Sequence, residues 1–198
     1  MKTKPVISFL ASHGGSSAKF LIDAMRSGQL DATPGILITN NRDSPIQHWC
    51  LDYDMPVRHI SSKTHRGEDN ADEAICSVLQ QAGTDLVVCS GYMKAIGPRT
   101  LAAFEHRILN IHPALLPKYG GKGMYGDFVH KAVLAAGDRQ SGASVHVVSA
   151  GIDEGPVILQ SQVPVAADDT LETLRLKVQA KEPFLYLAAI KKFLAQRP

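Results

Sequence analysis

Residues 6–26, VISFLASHGGSSAKFLIDAMR, contain an apolar run, a glycine turn and a helical pattern in direct succession. The run 6–12 is typical of a buried strand, and 18–26 has apolar residues at helical spacing. The pattern then repeats, with predicted strand and helix pairs at 35–39 and 45–53, 57–61 and 71–82, and 85–91 and 100–104. Repeated strand–helix units connect parallel strands. The sequence therefore predicts an α/β protein with a mostly parallel, twisted sheet and helices on both faces.

The second half departs from this regular alternation. It has predicted strands at 107–112, 143–149 and 157–165, and a predicted helix at 128–136. The segment GIDEGP at 151–156 is too tight for a helical crossover, which indicates an antiparallel pairing of the last two strands or a sharp crossing between them. Antiparallel C-terminal strands in a mostly parallel sheet are therefore expected. A final helix is expected to begin at Asp169 or Thr170, with Glu172 in capping-box spacing from Asp169, and to kink or break at Pro183.

Length and composition indicate one compact domain. The 198 residues are 44% hydrophobic, with no break in composition, so a single domain over 1–198 is predicted. The net charge is +2 and the basic residues are scattered, which argues against nucleic acid as a partner. No apolar run approaches the roughly 20 residues of a membrane span, and the first strand is too short for a secretory signal. We therefore expect a cytoplasmic protein without membrane partners, either a monomer or a homodimer.

The cysteines suggest neither disulfides nor a metal site. Cys50, Cys76 and Cys89 are odd in number, far apart and embedded in apolar patterns. They are expected to be buried thiols.

Two polar side chains stand out in 108–117, ILNIHPALLP. Strand side chains alternate between faces, so Asn110 and His112 should project from one face about 7 Å apart. Pro113 favours an extended backbone at His112 and ends the ladder. An amide that can polarise a carbonyl and an imidazole that can carry a proton thus meet at a strand end, where open α/β sheets place their chemistry. A capped or solvated histidine is the alternative interpretation.

Other segments could contribute to the same site. Asp153 either serves its own turn or reaches His112, raises the pKa of the imidazole and holds it in one orientation. His146 alternates with valines and is expected to be half-buried with a structural hydrogen bond. The segment 119–126 has four glycines in eight residues, which suits either a loop that closes over a substrate or a mobile surface loop. The glycine turn at 11–17 is either a phosphate cradle or a plain turn with Ser16 or Ser17 as N-cap.

The segments 110–117, NIHPALLP, and 153–156, DEGP, together resemble the signature of the folate-dependent formyltransferases. The resemblance extends from Val6 to about Phe193. The glycine turn and the chain length resemble the family's small branch, which acts on phosphoribosylglycinamide (GAR) in de novo purine biosynthesis. The resemblance implies a single Rossmann-like formyltransferase domain. It also implies transfer of a formyl group from 10-formyltetrahydrofolate to the primary amine of GAR, without a metal.

The resemblance also implies roles for individual residues. The family's catalytic residues correspond to Asn110, His112 and Asp153. Its substrate site corresponds to the backbone of Gly14, Gly15, Ser16 and Ser17 for the phosphate, and to Glu182 for the ribose hydroxyls. Its folate site corresponds to Met93, Lys94, Ala95, Ile96, Asn110, Ser149, Ala150, Gly151, Ile152 and Asp153.

These roles suggest a mechanism and leave two alternatives. Asn110 and a protonated His112 would stabilise the charge that builds on the formyl oxygen, and one such donor lowers a barrier by about 3 kcal/mol. Asp153 would keep His112 charged or relay protons through water. The segment 120–126 and Pro183 depart from the better-known bacterial branch, which keeps open an acceptor such as an amino sugar. The second alternative belongs to a different class of protein: a non-catalytic nucleotide-binding module that uses only the glycine turn.

Overall fold

The computed structural model describes residues 4–196, and residues 1–3 and 197–198 of the predicted domain lie outside this range. The chain forms two compact units, Met1–Leu109 and Asn110–Pro198. The single domain over 1–198 stays a prediction.

The first unit is a run of parallel strand–helix pairs. Its elements are β1 (Val6–Ala11), α1 (Ser16–Arg26), β2 (Thr33–Thr39), α2 (Pro45–Asp52), β3 (Val57–His59), α3 (Glu68–Gln81), β4 (Leu86–Cys89) and α4 (Pro98–Ala103). The strands lie in the order β3-β2-β1-β4 and all pair parallel. In register, Ala11 pairs with Thr39 and Leu10 with Cys89, so the carboxyl ends of these strands lie side by side. The side chains of β1 from Ile7 to Ala11 are fully buried, as expected for a central strand that is covered on both faces.

The second unit has an antiparallel pair near the C-terminus. The remaining elements are β5 (Ile108–His112), α5 (Asp127–Ala135), β6 (Gln140–Val147), β7 (Val157–Pro164), α6 (Leu171–Gln179) and α7 (Glu182–Ala195). β5 lies next to β6, and β6 pairs antiparallel with β7 from Gln140↔Pro164 to His146↔Val157. The seven-stranded sheet is thus mostly parallel with antiparallel C-terminal strands, which confirms the predicted fold class.

The end of the chain differs from the prediction in one detail. The capping box of α6 is formed by Thr170 and Thr173, so the predicted Asp169–Glu172 box is wrong. The carboxylate of Asp169 instead accepts from the Ala166 amide, Thr173 Oγ1 and Lys177 Nζ, and Thr170 Oγ1 caps the helix by accepting from the Thr173 amide. The predicted break at Pro183 is confirmed, since α6 ends at Gln179 and Pro183 lies in the first turn of α7, where a missing N–H costs little.

The cysteines also differ in part from the prediction. Cys50 and Cys89 are buried, and burial raises the pKa of their thiols to about 11 and about 12 respectively. Cys76 is only half-buried, so the expectation of three buried thiols is wrong there. It lies on α3 with Sγ 3.9 Å from the Arg99 carbonyl, on a partly exposed part of the helix. Among the described helices, none is long and apolar enough to cross a membrane.

Candidate active site

A histidine and an aspartate form the centre of the candidate site in the second unit. His112 is the last residue of β5, and Asp153 lies in the turn between β6 and β7. His112 Nδ1 lies 3.3 Å from Asp153 Oδ2, and their side chains are only 5% and 10% exposed. Asp153 has a φ of 59°, a left-handed conformation that aspartate tolerates better than most residues. The sequence-predicted pair therefore lies together in a largely dry environment.

A second histidine joins Asn110 to this pair. His146 Nδ1 lies 3.1 Å from the Val147 carbonyl, so it carries the proton and donates it there. His146 Nε2 can then accept a hydrogen from Asn110 Nδ2 at 3.2 Å, and it lies 3.5 Å from Asp153 Oδ1. His146 is buried, not half-buried as predicted, because β6 is covered along nearly its whole length. The sequence reasoning missed it as a site residue. The available signal was a histidine at the carboxyl end of a buried strand.

The loop after β5 supplies two backbone groups to the site. His112 Nε2 donates to the Tyr119 carbonyl at 2.7 Å, and the Gly121 amide donates to Asp153 Oδ2 at 3.1 Å. A Cβ at position 120 would lie 2.5 Å from Leu116 Cδ2 and 3.3 Å from Asp153 Cβ, so a side chain there would require Leu116 to shift. This end of the glycine-rich segment is therefore attached to both His112 and Asp153.

Burial decides the charge of His112. Desolvation lowers the pKa of the imidazole, and this outweighs the Asp153 carboxylate and the Tyr119 carbonyl, which raise it. Asp153 thus raises the pKa of His112 as expected, but burial outweighs this contribution, so the expectation that Asp153 keeps His112 charged is wrong. Burial also pushes the pKa of Asp153 upward, but His146, His112 and the Gly121 amide together hold it below its usual value.

The two ring nitrogens of His112 both face acceptors. A neutral imidazole can satisfy only one of them, whereas an imidazolium can donate to both the Tyr119 carbonyl and the Asp153 carboxylate. The arrangement suits a group that is neutral at rest and gains a proton during a reaction.

Asp153 also borders an open cavity of about 400 Å³, formed by residues between Leu116 and Gly121 and between Ile152 and Val157. A substrate can therefore approach the carboxylate.

The glycine turn lies in the first unit at the start of α1. Gly15 is the N-cap, with a left-handed φ of 58°, and the helix has neither a side-chain cap nor an acidic residue in its first turn. The predicted alternative of Ser16 or Ser17 as N-cap is therefore wrong. The Ala18 amide donates to Ser90 Oγ, which leaves the amides of Ser16 and Ser17 as the first-turn donors for an anion.

Gly15→Ala is expected to destabilise the protein by about 1–2 kcal/mol. A Cβ at this position would lie 2.7 Å from Ile46 Cδ1, and the positive φ adds backbone strain. Gly14→Ala is the matched control, because a Cβ there meets nothing within 4 Å. Urea unfolding of both variants tests this expectation, and equal losses of stability would contradict it.

Most of the remaining predicted residues are exposed, and the others are half-buried. In the first unit, Met93 to Ile96 lie between β4 and α4, and Met93 is 51% exposed. In the second unit, Ser149 to Asp153 form the turn after β6, and Ser149, Ala150 and Ile152 are exposed. Glu182 is the first residue of α7, half-buried, and burial raises the pKa of its carboxyl to about 7. Among residues 4–196, no group of three or more histidine, cysteine or acidic side chains could hold a metal ion.

Comparison with known proteins identifies relatives over nearly the whole chain. The chain is 36% identical over 185 residues to the chloroplastic phosphoribosylglycinamide formyltransferase of Arabidopsis thaliana, covering 93% of this chain and 63% of that protein. It is 33% identical over 187 residues to the phosphoribosylglycinamide formyltransferase of Haemophilus influenzae, covering 94% of this chain and 86% of that protein. The chain thus spans about three fifths of the length of the plant relatives it matches.

A solved structure agrees with these relatives. Glycinamide ribonucleotide transformylase 1 from Symbiobacterium toebii superposes with a TM-score of 0.92 at 33% identity, covering 100% of this chain and 91% of that chain. Residues 6–190 match the family described as Formyl transferase. The candidate site at His112, Asp153, Asn110 and His146 lies within the matched range, and the chain belongs to the formyl transferase family.

Proposed function

We propose that this protein transfers the formyl group of 10-formyltetrahydrofolate to the primary amine of phosphoribosylglycinamide in de novo purine biosynthesis. The observation that carries the proposal is the cluster of Asn110, His112, His146 and Asp153, in which both histidines are buried and Asp153 borders an open cavity. A protein that only binds a nucleotide has no use for two imidazoles and a carboxylate placed to exchange protons. Relatives of similar length that bear the name phosphoribosylglycinamide formyltransferase support this choice of acceptor.

The amide of Asn110 is suited to stabilise the formyl oxygen. The folate co-substrate supplies an activated formyl group, and its oxygen gains negative charge as the amine adds. One hydrogen of Asn110 Nδ2 is donated to His146, and the amide has a second hydrogen to offer to that oxygen. His146, fixed by the Val147 carbonyl, holds the amide in this orientation. The second N–H of Asn110 is therefore suited to stabilise a developing oxyanion.

His112 is suited to move the proton that the reaction must relocate. The attacking amine has to lose a proton, and the departing folate nitrogen has to gain one. A neutral His112 can take the first proton, directly or through Asp153 and water, because burial lowers the pKa of its imidazole. The imidazolium that forms then finds acceptors in the Asp153 carboxylate and the Tyr119 carbonyl until it releases the proton.

The substrates would be held by the other predicted residues. Backbone amides around Gly14, Gly15, Ser16 and Ser17 would bind the GAR phosphate, and Glu182 would bind the ribose hydroxyls. Met93 to Ile96 and Ser149 to Asp153 would contact the folate. No metal is needed in this scheme. A cytoplasmic location, a monomeric or homodimeric state and the lack of nucleic-acid and membrane partners stay predictions.

The test is an assay of tetrahydrofolate formation from 10-formyltetrahydrofolate with GAR, beside a panel of amino sugars and a reaction without an amine. We expect the largest kcat/KM with GAR and negligible release without an amine. Faster turnover of an amino sugar would overturn the choice of acceptor, and equal release without an amine would indicate hydrolysis. Isothermal titration with a folate analogue addresses the binding-module alternative, because a bare phosphate binder should show no heat.

A further inference from the structure

A carboxylate outside the cluster binds the loop that contacts His112. Asp138 lies between α5 and β6 and accepts from Lys118 Nζ at 2.8 Å and 2.6 Å. It also accepts from the Tyr119 hydroxyl at 2.8 Å. The ammonium of Lys118 lies 5.0 Å from the centre of the Tyr119 ring. Two consecutive loop residues are thus bound to one carboxylate that stands between two regular elements.

The same loop residue touches His112 through its backbone. The Tyr119 carbonyl accepts from His112 Nε2 at 2.7 Å, while the Tyr119 hydroxyl is bound to Asp138. Tyr119 has a φ of 59°, a conformation that costs energy for a residue with a Cβ. Such a backbone persists only where its surroundings hold it. The surroundings here are Asp138 at one end of the residue and His112 at the other.

We propose that Asp138 is a positioning residue for the transfer centre: by binding the Lys118 and Tyr119 side chains, it holds the Tyr119 carbonyl against His112 Nε2. This inference rests on the proposed function only for its effect on turnover. The carbonyl fixes which nitrogen of His112 carries the proton, so that Nδ1 faces Asp153. Loss of Asp138 would let the loop backbone relax and withdraw that acceptor.

Asp138→Ala is expected to lower kcat with GAR about tenfold and leave KM within about twofold, since one hydrogen bond to the reacting imidazole is weakened. The second readout is the NMR titration of the His112 ring, assigned by its disappearance in His112→Gln. Because the Tyr119 carbonyl raises the pKa of His112, the titration midpoint should move to lower pH in Asp138→Ala. A variant that merely loosens the fold would not move this midpoint selectively.

Two further variants make the experiment specific. Tyr119→Phe removes only the hydroxyl and keeps the Lys118–Asp138 pair. It should therefore move the midpoint in the same downward direction by a smaller amount and lower kcat less, about threefold. Asp31→Ala is the control. It also removes a lysine–aspartate ion pair, because Asp31 Oδ1 lies 2.9 Å from Lys4 Nζ at an exposed position of the first unit. It should change neither kcat nor the His112 midpoint.

The outcomes separate this inference from the proposed function. An unchanged His112 midpoint in Asp138→Ala and Tyr119→Phe would overturn the positioning role, even if turnover fell. A shifted midpoint in a protein that does not formylate GAR would support the positioning role and overturn the proposed function. If Asp138→Ala does not fold, the midpoint in Tyr119→Phe decides alone.

Discussion

His112→Ala is expected to lower kcat with GAR by about 10³-fold, with little change in KM for either substrate. His112 is the buried group whose two ring nitrogens face the Asp153 carboxylate and the Tyr119 carbonyl, so its removal leaves the transferred proton without a carrier. Steady-state measurement of tetrahydrofolate formation over a range of both substrates separates kcat from KM.

The pH profile of the unaltered protein belongs to the same prediction. Burial lowers the pKa of His112, so the neutral, proton-accepting form persists below pH 6.5. Activity should therefore be lost only as the pH falls through a value below 6.5, and His112→Ala should lack this limb. His48→Ala is the control, because His48 is exposed on α2. Near-normal turnover in His112→Ala, or an acid limb above pH 6.5, would contradict the assigned role.

Asp153→Asn is expected to lower kcat about 10²-fold while the turn stays folded. The carboxylate accepts from the Gly121 amide with Oδ2, and an asparagine oxygen can take that bond over. Asparagine also tolerates the left-handed backbone at this position. The change therefore removes the negative charge beside His112 and spares the loop contact.

The residual activity of Asp153→Asn should also move along the pH axis. The carboxylate raises the pKa of His112, so its loss lowers that pKa further and shifts the acid limb to lower pH. Asp153→Ala is the comparison, because it additionally removes the acceptor of the Gly121 amide and should raise KM as well. An unshifted acid limb in Asp153→Asn would show that Asp153 does not act through His112.

The fold was predictable where the signal is local. Alternating strand and helix periods are properties of short segments, so the parallel units of the first half and the antiparallel β6–β7 pair follow directly from the sequence. The capping residues of α6 could not be predicted in this way, because Asp169 and Thr170 both have a polar residue three positions later. In the structure the Asp169 carboxylate accepts from the Ala166 amide, Thr173 and Lys177, and Thr170 is the N-cap.

The candidate site was predictable only in part for a similar reason. The alternation of a strand places Asn110 and His112 together, but the approach of Asp153 depends on a turn some 40 residues away, and resemblance to a family was needed to suggest it. The Tyr119 carbonyl has no signature in the sequence, because every residue carries one. The charge of His112 was misjudged because desolvation depends on everything packed around the ring.

The polar atoms of the site have a collective consequence. His112 contacts Asp153, Asp153 contacts His146, and His146 contacts Asn110. Each member therefore sets the hydrogen-bonding role of the next, and the free energies lost on removing two of them do not add. Introducing Asn110 or His112 alone into a related protein should add little activity, because the function depends on the whole hydrogen-bonded set of four residues.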